Sequence, residues 1–147
     1  MNEIPPAVRI LPMDSIREFS GRKIEEVQHQ FFLGELLRQD RPPGKYWYHA
    51  SGLQAPRGTA VLFQYSNFLV ADARFQRTER FPEPEDDYNG ALYFDPKTIR
   101  VFDPVPSDIV NRIWPEFKGF SHVKWTLDPK RYPDFERQLK HVETAKA

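Results

Sequence analysis

The sequence predicts an α+β protein: a small mixed or antiparallel β-barrel with flanking helices and one added N-terminal helix. Three observations carry this expectation. Apolar residues alternate over 60–65 and again over 68–75, across a Ser66-Asn67 turn. Further short strand-like runs are punctuated by Asp-Pro and Gly turns rather than by long crossovers. The one long helical periodicity, at 21–38, lies ahead of them. A length of 147 residues suits one domain that buries roughly two-thirds of its unfolded surface.

Residues 1–13 read as a proline-bearing extended strap or an unstructured start. Asp14 can cap a short turn through Phe19. Ser20 or Gly21 then opens a helix to about Arg38, with Ile24, Val27, Phe31, Phe32, Leu33, Leu36 and Leu37 at three- and four-residue spacing. Such a helix is expected to cover a core; the rival use is docking a partner or a second copy. Arg41-Pro42-Pro43-Gly44 cannot continue it and turns into a strand at Tyr46, Trp47 and Tyr48. Alternation sends Trp47 to one face of that strand and Tyr46 with Tyr48 to the other, so one set alone can face a ligand. Trp47 is the expected one.

Residues 51–58 read as a loop, followed by the 60–75 hairpin. Val61, Phe63 and Tyr65 share one face; on the return strand Leu69, Ala71, Ala73 and Phe75 share another, opposite Asp72, Arg74 and Gln76. Phe81 to Gly90 is expected as a proline-and-carboxylate loop. Ala91–Phe94 and Ile99–Phe102 are short strands around an Asp95-Pro96 turn. Pro106-Ser107 starts a helix that Trp114-Pro115 ends. Val123–Leu127 reads as a last strand, and a final helix covers about 134–142 before a fraying tail.

No cysteine is present, which removes disulfides and thiolate metal sites and suits a reducing compartment. The start lacks the basic and apolar regions of a signal peptide, and no apolar run approaches the ~20 residues needed to cross a bilayer. The expectation is a soluble cytoplasmic protein without a membrane partner. Its 21 basic and 21 acidic side chains cancel, which argues against coating nucleic acid non-specifically. The balance is uneven along the chain: residues 82–95 hold five carboxylates and no base, leaving a modest positive excess elsewhere.

Catalytic signatures are missing. The four histidines, His29, His49, His122 and His141, fall in separate segments, with no HExxH, no Gly-rich phosphate loop and no G-x-S-x-G. Asp95 and Lys97, with Asp86 or Asp87 upstream, imitate a metal-dependent nuclease. Turn chemistry explains the pair better, because Asp-Pro recurs at Asp103 and Asp128. No metal or cofactor is expected, and no enzyme activity. The aromatics point to binding instead. Trp47, Tyr48, Phe63, Tyr65, Trp114 and Trp125 offer flat surface for stacking on a base, at roughly 1–3 kcal/mol per base. Ser51 and Asn67, with His49 and Gln64, suit a base edge. Arg57, Arg74, Arg77 and Arg80 could engage phosphates.

The order of short patterns resembles a known family. "YW-x-x-x-S" at Tyr46–Ser51 is followed by "VLFQY" at 61–65, "VADARF" at 70–75, a proline-rich acidic stretch, "YFD…IRVFDPV" at 93–105, and "YPDF" at 132–135. This succession resembles the EVE domain and its PUA-like relatives, the ASCH, YTH and SRA-type folds. The likeness covers about 45–135, leaving 1–44 as an extension and 136–147 as a helix end and tail. It implies a barrel that accepts one modified nucleobase in an aromatic pocket built from the first strand's end, the loop after it and a facing hairpin. Position by position, Trp47, Tyr48 and Ser51 match the first strand, Phe63 and Tyr65 the second, and Asn67 the hairpin turn. The implied partner is modified DNA or RNA, with the base flipped out. The implied setting is the recognition module of a modification-dependent restriction system whose nuclease lies on another segment or chain. The rival from another class is a protein-interaction adaptor docking through helix 21–38.

Overall fold

The computed structural model describes residues 4–13, 19–37, 44–48, 52–86, 88–120 and 125–145. Within them lie eight strands: β1 (Val8–Pro12), β2 (Lys45–Tyr48), β3 (Ala60–Tyr65), β4 (Phe68–Glu85), β5 (Tyr88–Phe94), β6 (Arg100–Pro106), β7 (Thr126–Leu127) and β8 (Glu143–Thr144). They make one mixed sheet in the order β2-β5-β4-β3-β1-β7, with β6 beside β4 and β8 beside β6. The α+β class holds, but the expected barrel is an open sheet, since β2 and β7 end the path without pairing to each other. Among the described residues no helix is long and apolar enough to cross a membrane.

The 60–75 hairpin forms as expected. Ser66 and Asn67 take φ of 53° and 66°, the paired left-handed conformation that matches strand twist in a two-residue turn. Beyond it β4 runs to Glu85 and β5 begins at Tyr88, so most of the expected 81–90 loop is strand. Its prolines are tolerated because no residue between Arg80 and Glu85 pairs across to β5. β5 and β6 succeed each other along β4. A 3-10 turn at Pro96–Thr98 separates them, capped by the Asp95 carboxylate, which accepts from the Lys97 backbone N–H at 3.1 Å. Asp128 caps the next such turn in the same way, so turn chemistry accounts for both Asp-Pro pairs.

Two N-terminal stretches also depart from the sequence reading. The N-terminal strap is β1, which pairs parallel with β3 and antiparallel with β7; its segment belongs to the sheet rather than to an outlying extension. The expected helix begins as one α turn, α1 (Ile24–Glu26), and continues as a π-helix over Val27–Glu35. Nine residues is long for an element met mostly as single-turn bulges. The wider turn places Val27, Phe31, Phe32 and Leu36 on one buried face. Gln28, 7% exposed, donates from Nε2 to the carbonyls of Val70 and Phe102 at 3.0 and 2.6 Å. Val70 lies where the β4–β6 register shifts, and the glutamine supplies the donor its carbonyl needs. This helix buries its apolar face on its own chain, so docking through it would use the polar face.

The sheet separates two cores. One lies under the π-helix and gathers Phe19, Phe31, Phe32, Tyr46, Phe63, Tyr65, Phe75 and Phe94. The other lies under α2 (Ser107–Ile113) and α3 (Tyr132–Gln138) and gathers Phe102, Trp114, Phe117, Tyr132 and Phe135. The bulge at Val70 moves Leu69 to the second core while Ala71, Ala73 and Phe75 face the first. β8 docks the tail onto β6, where fraying is expected from sequence.

Candidate functional site

Beyond Phe75, β4 leaves β3 behind and projects with β5 and β2 as a three-stranded arm. A cleft of about 870 Å³ opens where the arm meets the loop before β3 and the side of β1. That size lies within the range of small-molecule sites. Tyr48 at the end of β2 forms one wall, and Thr78, Arg80, Pro82 and Pro84 come from β4. Leu53 and Gln54 supply the loop side, with Arg9 from β1 and Asn89 from β5.

Each wall has a local cause. A Cβ at Gly90 would lie 2.2 Å from the Glu79 carbonyl and 2.3 Å from the Tyr48 hydroxyl, so glycine is what lets the tyrosine lie across β5. The loop is tied from both sides: Thr78 Oγ1 donates to the Leu53 carbonyl at 2.7 Å, and Arg9 Nη1 to the Gln54 carbonyl at 3.1 Å. Arg9 Nε is buried with no hydrogen-bond partner among the described residues. No described carboxylate lines the cleft, so its two guanidiniums make it locally cationic.

Of the residues singled out in sequence, the cleft brings together Tyr48 and Arg80. Trp47 points to the other face of the arm, where its ring meets Phe81 at 5.3 Å and Tyr88 at 5.4 Å. Phe81 connects the two faces, since it also lines the cleft. On the Trp47 side the Lys45 ammonium lies 4.6 Å from the Trp47 ring, 5.5 Å from Tyr93 and 3.5 Å from the Glu79 carboxylate. The Tyr93 hydroxyl donates to Glu79 at 2.6 Å. That bond, assisted by Lys45 and Arg77 against a smaller effect of burial, holds the Glu79 carboxyl below its usual range.

The remaining aromatics do not join this cleft. Phe63 and Trp114 are fully buried in opposite cores, too deep to face a base. Trp114 Nε1 donates to the Asp128 carbonyl at 2.8 Å. Tyr65 is a strut, its hydroxyl bonding the carbonyls of Phe19 and Arg22 at 2.7 and 2.6 Å. Trp125 packs on Phe117 beneath α2 and donates to the Gly119 carbonyl. Asn67 holds the hairpin turn, and Gln64 Oε1 is buried without a partner among the described residues. Ser51 and His49 lie outside the described residues. A single pocket of all eight predicted base-binding residues is therefore not assembled, because bulges and two opposed cores divide aromatics that the chain order groups together.

The arginines also diverge. Arg57 is exposed on the turn before β3, and Arg77 stacks on the Tyr93 ring at 3.8 Å on the outer face. Arg74 donates to the Gly58 carbonyl and lies 5.3 Å from the Tyr132 ring. It borders a smaller polar cavity of about 390 Å³ built around a buried network. Asp72, 2% exposed, receives a two-pronged bond from Arg100 at 2.6 and 2.9 Å and the Tyr132 hydroxyl at 2.5 Å; Glu136 takes a further Arg100 bond at 2.9 Å. Burial and the Asp72 charge raise the Tyr132 pKa, with Arg100 opposing them. Burial pulls the Arg100 pKa down, but its bond to Asp72 and the surrounding negative charges outweigh that and leave it raised. The network clamps α3 to β4 and β6.

Among the described residues no group of three His, Asp or Glu side chains converges to hold a metal ion. Sequence reading missed Arg9, Gln54 and Thr78 as cleft residues. Thr78 alternates in register with Arg80 and could have been read with it; Arg9 arrives only through the β1–β3 pairing, for which the sequence carries no local signal. No protein-family model, curated protein or solved structure matches this chain.

Proposed function

We propose that the protein is a nucleic-acid reader that takes one modified base of DNA into the arm cleft. The base lies against Tyr48 and the Pro82–Pro84 wall, and its phosphate meets Arg80 and Arg9. The observation that carries this reading is a cleft of about 870 Å³ with two guanidiniums, an aromatic wall and no described carboxylate. The resemblance supports it, since the cleft lies at the end of the first aromatic strand, beside the loop after it and against a hairpin. The hairpin concerned is β4–β5 rather than the 60–75 one. In this reading the chain does no chemistry, and cleavage belongs to a nuclease on another segment or chain.

Fluorescence anisotropy with labelled oligonucleotides, methylated or hydroxymethylated against unmodified, tests it. Preferential binding of a modified strand is expected, weakened by about 1–3 kcal/mol in Tyr48→Ala. One phosphate neutralised on a single strand gives a slope of log K against log salt of about −0.7. Equal binding of all strands, or no effect of Tyr48→Ala and Arg80→Gln together, overturns it.

A further inference from the structure

The cleft's charge is of one sign, carried by two guanidiniums with no described carboxylate beside them. Arg9 and Arg80 come from different strands and both line it, and Arg9 Nε is a buried donor with no partner among the described residues. Leaving such a donor unpaired is costly, and an anion held by the rest of the guanidinium would offset part of that cost through its charge. Along β4 the sign then reverses. Pro82 and Pro84 line the cleft, while Glu83, Glu85 and Asp86 are exposed between and just beyond them. At about 3.3 Å per strand residue, Glu83 falls about one Debye length from Arg80, and Glu85 and Asp86 about two. A polyanion leaving the cleft toward the arm's tip would meet like charge at each phosphate. A ligand with its charge gathered on one group would not.

We propose that the cleft is selective for a phosphomonoester: a nucleoside monophosphate, free or as the phosphorylated end of a strand, with its dianion between Arg9 and Arg80. This rests on the reading of the cleft as a nucleotide site and names the form of nucleotide it takes. Two guanidiniums match the two charges of a monoester, and a diester in mid-strand carries one charge per phosphate.

The test compares one short oligonucleotide in four forms, with a 5′-phosphate, with a 3′-phosphate, with hydroxyls at both ends, and circularised. Nucleoside monophosphate and the parent nucleoside serve as competitors. One end-phosphorylated form is expected to bind at least tenfold tighter than the hydroxyl-ended and circular forms. That gain should vanish in Arg80→Gln, an exposed substitution, and in Arg9→Gln. The monophosphate should compete and the nucleoside should not. If the monophosphate matches the phosphorylated strand, the ligand is a free nucleotide; if the strand is tighter, it is a strand end; both results uphold the phosphomonoester. Equal binding of circular and end-phosphorylated strands overturns this inference and leaves the reader standing. If no strand binds and no mononucleotide competes, the reader reading falls with it.

Discussion

Tyr132→Phe removes one oxygen and leaves the ring in place, which makes it a clean probe of the clamp between α3 and the sheet. The lost hydroxyl contacts the Asp72 carboxylate at 2.5 Å and Arg100 Nη2 at 2.9 Å. Asp72 keeps both arms of Arg100, and Arg100 keeps Glu136, so no charge is stranded. Arg100 Nη2 keeps its other two acceptors, so the expected loss is mainly that of the charge-assisted bond to Asp72, about 1.5–3 kcal/mol. At about 3 °C per kcal/mol for a chain of this size, Tm falls by roughly 5–9 °C. The pH dependence gives a second readout. Tyr132 has its folded pKa raised above the ordinary 10.0, so its contribution is complete below pH 10. It is lost as pH rises, because the unfolded chain ionises there and the folded one does not. Urea unfolding of both proteins between pH 7 and 11 should give a constant difference up to about pH 10 that narrows above it. A difference under about 0.5 kcal/mol, or one that widens above pH 10, refutes the clamp.

Gln28→Leu keeps the π-helix packed but leaves the Val70 and Phe102 carbonyls without their donor; a loss of about 3 kcal/mol in urea unfolding is expected. Glu79 has a depressed pKa, so its stabilisation is present above the ordinary carboxyl range and is lost as pH falls through the folded value. The stability gap between the native protein and Glu79→Gln should thus close as pH falls below the ordinary carboxyl range, and an unchanged gap would contradict the Tyr93–Glu79–Lys45 contact. Gly90→Ala forces a methyl against the Glu79 carbonyl and the Tyr48 hydroxyl. It should lower Tm and weaken oligonucleotide binding together, whereas Trp47→Ala, on the outer face, should lower stability with far less effect on binding.

How far the sequence carries the structure depends on whether a pattern is local. The 60–75 hairpin was legible because Ser66-Asn67 and the flanking alternation both report on neighbouring residues. The opposed directions of Trp47 and Tyr48 followed from the pleat alone, although the pleat could not say which face holds a cleft. Tyr48, the residue set aside, is the one that lines it. Parity failed where register shifts. The bulge at Val70 moves Leu69 across the sheet; the shift between Phe75 and Arg77, added to the alternation that a spacing of three imposes, sends Arg74, Arg77 and Arg80 to three different surroundings. Residues 81–84 look like a loop because proline is foreign to paired strands, and they extend β4 only because this stretch has no partner on β5. β1 is invisible locally, since its partners β3 and β7 lie far along the chain. Trp114 and Trp125 read as ligand surface when the sheet is imagined with one core; a second core under α2 and α3 takes both.

The most direct test of the nucleotide cleft is a heteronuclear NMR titration with a short modified single strand. The predicted result is a set of saturable shifts at the backbone amides of Tyr48, Leu53, Thr78 and Arg80, with the Arg9 side-chain Nε–H among them. Shifts confined to the outer face around Trp47 and Tyr88, or to the 390 Å³ cavity beside Arg74 and Lys97, would contradict it.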